Sequence, residues 1–258
     1  NLKGFEGKFL ELDVSNEFSI NDKIDLIFHE AAITDPRFKD NKETLRCNIE
    51  GFKNIIKLAE KNNAKLIYAS TANLYGNGKI PMKESQKKEV ICDYGKSKLE
   101  MDNMAKKLYG KMHIVGLRYF NVFGPRERYK GRSASMIYHL YTQMKSGKNP
   151  KIFKYGEQKR DHIYIKDVVN ATIKAIDAKS GIYNVGTGIA TSFNELILIL
   201  NEVMRKDLRP EYFDNPYEKN IYQNNTQADI TLAEKELRWR YEYTLEKGIN
   251  DYINWMKK

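Results

Sequence analysis

The spacing of apolar residues along this chain changes rhythm several times, and each change marks an element. KFLELDV (8–14) and DLIFHEAA (25–32) are short apolar runs that predict strands. GFKNIIKLAEKNN (51–63) instead spaces Phe52, Ile55, Ile56 and Ala59 at helical intervals, with lysines on the opposite face. AKLIYAST (64–71) predicts a third strand and YGKSKLEMDNMAKKLYG (94–110) a second helix. HIVGLRYFNVFG (113–124) reads as a strand that stops at a Gly-Pro turn. Strands with little polar alternation, separated by amphipathic helices, predict a parallel sheet covered on both faces. The expected fold class is α/β with a doubly wound sheet.

Beyond Gly124 the alternation loosens into a basic loop, PRERYKGRSAS, a helix near Met136 to Met144 and a strand KIFKY. DHIYIKDVVNATIKAI follows, then a strand GIYNVG, and a final helix spans Leu245 to Met256. TSFNELILILNEVM is a helix whose start is written in its sequence: Ser192 can cap it while Glu195, three positions on, completes a capping box. The expected division is a dinucleotide-binding domain at 1–123, with returning segments near 159–187, and a smaller substrate lobe formed by the remainder of 124–258.

Composition narrows the chemistry. A net charge of +10 raises nucleic acid and anionic metabolites as partners, but the lysines are spread at the spacing of wet helix faces and no nucleic-acid-binding motif accompanies them. Two separated cysteines and four scattered histidines give no metal spacing, so metal-free chemistry is expected. No run approaches the roughly 20 apolar residues of a membrane helix, and a soluble, cytoplasmic protein is expected. The first third contains no G-x-G-x-x-G turn; VGTGIATS (185–192) has different spacing and reads as a strand-to-helix turn rather than a phosphate loop. With Asn1 in place of a methionine, the expectation is an N-terminally truncated sequence whose cofactor cradle is incomplete.

Tyr94 and Lys98 lie one helical turn apart, so the ammonium can reach the phenol and favour its ionised form. Taken alone, the pair is more often a packed ring beside a solvated lysine. It is accompanied, in order, by HEAA (29–32), ASTANLYG (69–76), RYFNVFGPRE (118–127), RDHIYIKDV (160–168) and YNVGTG (183–188). This series resembles the extended short-chain dehydrogenase/reductases that act on nucleotide sugars, the NAD-dependent epimerases and dehydratases, and implies their Rossmann-type fold. Within that superfamily, residues 118–140 and 151–168 are similar to the branch that inverts C6 of an ADP-linked heptose for lipopolysaccharide core, by transient oxidation and re-reduction.

The resemblance implies Tyr94 as the base on one face, assisted by Lys98, Thr71 and Ser70, and Lys130 in the basic loop as the proton carrier on the other. It implies NAD or NADP as a recycled cofactor, near Asp13, Val14, Ala31, Ala32, Thr34, Asn48, Tyr94, Lys98, Val122 and Lys130. Ser70, Asn121, Arg132, His139, Phe153, Arg160 and Tyr222 match the sugar-nucleotide contacts, although Arg132 stands where better-known members carry a small serine. Without the resemblance, Lys130 is a solvated loop lysine, His139 a helix-face histidine and Ala31-Ala32 a strand–helix turn. Ala72 and Asn73 occupy the positions where dehydratases of this group place an acidic pair. A homo-oligomer, with a pentamer as one form, is implied as well. The readings held beside this one are a nucleotide-sugar 4-epimerase or reductase, and a cofactor-free binding form.

Overall fold

A computed structural model describes residues 4–34, 41–216 and 222–257 of the chain. Strand β1 (Leu26–His29) leads to helix α1 (Asn41–Asn62), β2 (Lys65–Thr71), α2 (Asp93–Lys106) and β3 (Ile114–Tyr119). A short β4 (Asn121–Phe123), α3 (Met136–Lys145), β5 (Lys151–Phe153), β6 (Lys159–Arg160) and β7 (His162–Tyr164) follow. The chain continues through α4 (Ile165–Lys174), β8 (Gly181–Val185), β9 (Thr191–Ser192), α5 (Phe193–Met204), β10 (Glu211–Phe213), α6 (Thr231–Glu236) and α7 (Leu245–Met256).

Strands β1, β2, β3 and β8 form one parallel sheet in that order. Successive β2 residues supply opposite faces: Leu66 and Tyr68 pack under α1 and α2 with Phe52, Ile55 and Met101, while Ile67 joins Val168, Ala171 and Tyr183 on the other side. This is the doubly wound α/β arrangement the pattern predicts. Tyr68 crosses β3 where the partner in register is Gly116, and a Cβ there would strike the phenol. The second core gathers Phe123, Ile137, Leu140, Leu196, Leu200, Ile249 and Tyr252 from α3, α5, α7 and the strands between them. Ser192 and Glu195 make the expected reciprocal capping box at the start of α5.

Two expectations are corrected. Residues 8–13 are not a strand: no described residue pairs with them, and Phe9, Leu10 and Leu12 are exposed. An apolar run becomes a strand only where a neighbour takes its backbone N–H and C=O groups, and among the described residues β1 pairs with β2 alone. Residues 231–239, expected with the second lobe, instead place Ala233, Leu237 and Trp239 on the sheet beside Ile67 and Val185.

Candidate active site

Strand β2 delivers Ser70 and Thr71 to its carboxyl end, where Thr71 caps a 3-10 turn over Ala72–Tyr75 by accepting from Asn73 N at 3.2 Å. Opposite lies the N-terminus of α2, capped by the Cys92 thiol, which accepts from Gly95 N at 3.4 Å and donates to Asn73 Oδ1 at 3.0 Å. Asn73 thus orients the helix start rather than offering an acid. Tyr94 lies in the first turn of α2, with the Thr71 hydroxyl near its phenol. Burial pushes the phenol up to about 12, and the nearby Thr71 hydroxyl works against that rise. Ser70 is 2% exposed and its hydroxyl has no partner among the described residues.

Lys98 departs from its expected partner. The side chain is buried, and its ammonium donates to Ala69 O of β2 at 2.8 Å instead of bonding Tyr94. Helical spacing puts both residues on one face, but the strand carbonyl captures the lysine. Burial pulls its pKa down to about 8, with Glu30 and Asp102 opposing. Asn48 is likewise committed within the fold: its amide accepts from Ile33 N at 2.8 Å and donates to Ile33 O at 3.1 Å and to Ser97 Oγ at 2.9 Å. Ser97 in turn donates to Tyr94 O at 2.8 Å. Asn48 and Ser97 therefore tie the loop after β1 to the turn that carries Tyr94, and the sequence reading missed Ser97 altogether.

The lysine's depressed pKa has a stability consequence with a definite sign. Its pKa is near 8 folded and about 10.4 unfolded, so the unfolded chain binds more protons between those values and stability rises with pH across that window. Lys98→Met is expected to unfold about 1–2 kcal/mol later than the parent at pH 7, after allowing for the lost Ala69 bond. The gap should narrow by pH 10. Urea unfolding at the two pH values measures it; a variant less stable than the parent at both would contradict the assignment.

The residues expected around the dinucleotide divide. Asp13 is exposed and closes a local turn, accepting from Ser15 N and Oγ at 2.9 and 2.8 Å and from Asn16 at 3.0 Å, bonds that hold its carboxyl below the usual range. Val14 packs against α1, with its carbonyl held by Asn54. Ala31 and Thr34 are exposed and Ala32 half-buried in the loop after β1, and Val122 is half-buried in β4.

Of the expected sugar-nucleotide residues, Phe153, Arg160 and Tyr222 come together. Arg160 is 8% exposed and lies over the rings of Tyr222 and Phe193 at 5.2 and 5.7 Å, its guanidinium bonded to Asn224 O at 2.7 Å. Phe153 meets Tyr222 edge-on at 5.6 Å. Asn121 accepts from Thr226 at 2.9 Å. His162, the register partner of Asn121, is 5% exposed, with neither ring nitrogen bonded among the described residues; burial and Arg160 push its pKa down to about 3, so it is neutral. His139 is half-buried against Tyr138. Lys130 and Arg132 are exposed on the 3-10 segment Glu127–Ser133, and no hydrogen bond joins Lys130 to Tyr94, Lys98 or Thr71.

The glycine turn after β8 has a filled interior. Asp161, completely buried, accepts from Thr187 N at 2.8 Å, Thr187 Oγ1 at 2.7 Å, and Gly188 N and Ala228 N at 2.9 Å each. Burial raises its pKa and these bonds oppose the rise. A Cβ on Gly186 would sit 2.9 Å from that carboxylate, which explains the glycine. The donors a phosphate would need are taken by the chain's own acid.

A tyrosine beside a threonine hydroxyl, with a buried lysine one turn on, at the carboxyl edge of a parallel sheet is the arrangement of a dehydrogenase-type site. The chain belongs to the NAD dependent epimerase/dehydratase family, whose profile matches residues 2–186. It is 40% identical over 228 residues to the ADP-L-glycero-D-manno-heptose-6-epimerase of Brachyspira hyodysenteriae, covering 85% of this chain and 71% of that protein. The crystal structure of the Helicobacter pylori ADP-L-glycero-D-manno-heptose-6-epimerase superposes with a TM-score of 0.91 at 37% identity, covering 99% of this chain and 81% of that one. A Bacillus cereus UDP-glucuronic acid 4-epimerase in complex with UDP-glucuronic acid and NAD gives 0.77 at 26% identity, over 90% of this chain and 76% of that one. Among the described residues no helix is long and apolar enough to cross a membrane, and no His, Cys, Asp and Glu cluster is suited to a metal.

Proposed function

We propose that this chain interconverts ADP-D-glycero-D-manno-heptose and ADP-L-glycero-D-manno-heptose at C6. The observation that carries the reaction type is Tyr94 beside the Thr71 hydroxyl, with buried Lys98 one helical turn on, at the end of the sheet. The substrate assignment is supported by the two heptose-epimerase relatives. Ser70, with its unpaired buried hydroxyl, and Lys98, with its ammonium bonded only to a strand carbonyl, fit the nicotinamide end of NAD or NADP. The chemistry such a group supplies when bound is reversible hydride transfer, regenerated within each turnover.

The protein's own residues manage the protons. Carbon 6 has no acidic hydrogen, so inversion needs oxidation to the ketone and reduction from the opposite face. Tyr94 takes the hydroxyl proton of one epimer, and Thr71 holds both the phenol and the alcohol oxygen in line. Lys98 is charged below its pKa of about 8 and places positive charge beneath the Tyr94 helix turn. Lys130, on the exposed loop, serves the second face. Arg160, with Tyr222 and Phe153, presents a cation and aromatic faces for the diphosphate and the nucleotide. His162, uncharged, can both donate to and accept from a sugar hydroxyl.

The test is incubation with ADP-D-glycero-D-manno-heptose and NAD or NADP, with the C6 epimers resolved by NMR, beside UDP-glucose and a GDP-hexose. Conversion of the ADP-heptose alone supports the reading; conversion of a UDP-sugar at C4 would replace it. Lys130→Met is expected to slow interconversion at least about 10²-fold, the usual scale for a lost proton carrier, while cofactor binding measured by calorimetry stays within about twofold. An unchanged epimerisation rate would remove Lys130 from the mechanism.

A further inference from the structure

Lys130 sits in a loop with little to hold it. Residues 128–132 are exposed, and Arg128 bonds within the loop to Tyr129 Oη at 2.8 Å. Gly131 takes a left-handed φ of 55°, and among the described residues no side-chain bond from Lys130 fixes the segment. The order in this loop comes from its ends. Both ends converge on Glu127, which is 7% exposed at the base. Its carboxylate accepts from Gly124 N at 3.3 Å, where the loop leaves β4, and from Ser135 N and Oγ at 2.6 and 2.9 Å, where the loop enters α3. The Tyr252 phenol of α7, a side chain 1% exposed, lies near the same carboxylate. Ser135 is also the N-cap of α3, accepting from Tyr138 N at 3.2 Å.

We infer that Glu127 is a positioning residue for Lys130: one buried carboxylate closes the 124–135 loop on itself and pins it to α7, fixing where the exposed lysine can reach. Glu127 is the only acid between Pro125 and Ser135, among four basic residues, so no neighbouring carboxylate can take its place. Bonds from N–H and O–H donors to an ionised acceptor are stronger than neutral ones, and an amide at this position accepts through only one atom. The inference rests on the role proposed above for Lys130.

Glu127→Gln, Lys130→Met and the double variant separate the possibilities by steady-state epimerisation, alongside Glu127→Asp. Glu127→Gln is expected to lower kcat about 10- to 100-fold with KM within about threefold, the scale of misplacing a catalytic group by an ångström, and Glu127→Asp to recover part of the loss. In the Lys130→Met background the same change should alter kcat less than about twofold, because residues acting as a unit are not additive. An equal loss in both backgrounds, or a parental kcat in Glu127→Gln while Lys130→Met is slow, overturns this inference and leaves Lys130 in place. A parental rate in Lys130→Met removes both. Should Glu127→Gln fail to fold, Tyr252→Phe removes only the phenol oxygen near the carboxylate and carries the same comparison: its loss of kcat must vanish in the Lys130→Met background, and no loss, or an equal one, overturns the inference.

Discussion

Tyr94→Phe is expected to lower turnover about 10³-fold, within the 10²–10⁴ range of a lost general base, while leaving the unfolding midpoint close to the parent's. The phenol lies near the Thr71 hydroxyl at the end of β2, and the ring itself keeps its packing when only the oxygen is removed. The size of the loss follows from what remains: Thr71 has no means of accepting a proton near neutral pH, and Lys98 is tied to Ala69 O. Substrate binding, governed by the Arg160 rim, should change little, so the loss falls on kcat. Single-turnover epimerisation measures it. A rate within threefold of the parent would move the base elsewhere.

The largest stability effect is expected from Asp102→Ala. Asp102 is fully buried on α2, one turn beyond Lys98, and receives Arg118 Nη2 at 2.7 Å, Arg118 Nε at 3.0 Å and the Tyr68 phenol at 2.9 Å. Arg118, 1% exposed, also donates to Tyr75 Oη at 2.9 Å, and Tyr75 reaches Asn184 of β8 at 2.6 Å. Removing the acid leaves a buried guanidinium without its counter-charge, a change worth about 3–5 kcal/mol. Against a total stability of about 5–15 kcal/mol, that is a fifth or more of the margin. The pair is not the most stabilising filling for the site: Asp102→Leu with Arg118→Met should recover much of the loss. Urea unfolding of the single and double variants decides it; a loss below 1 kcal/mol in the single variant contradicts the coupling.

Periodicity was enough to read the sheet and its covering helices, because strands such as β2 are apolar on both faces and helices such as α1 on one. It failed at KFLELDV, where the pattern of a strand is present and a partner is not. The site residues divide similarly. Thr71 and Tyr94, which the resemblance singles out, lie near each other because both sit at element ends, the end of β2 and the start of α2. Lys98 does not follow, because spacing says which face a side chain shares but not which distant carbonyl competes for it. The same limit hid Asp161 inside the glycine turn and Glu127 under the basic loop. Each is a lone acid in sequence, and only the third dimension brings its donors together. His162 is one of four scattered histidines in the sequence, and nothing there signals a buried ring beside Arg160 with neither nitrogen bonded among the described residues.

The position of α7 in the chain sets a timetable for synthesis. Ile249, Tyr252 and Ile253 complete the second core, and α6, only slightly earlier, completes one face of the sheet. Neither core can close until the ribosome has delivered nearly the whole of the described chain, so a long nascent stretch with exposed apolar strands must wait for its last two helices. A nascent chain arrested before residue 231 should therefore remain a client of holding chaperones, whereas one that has cleared the exit tunnel with α7 should be released.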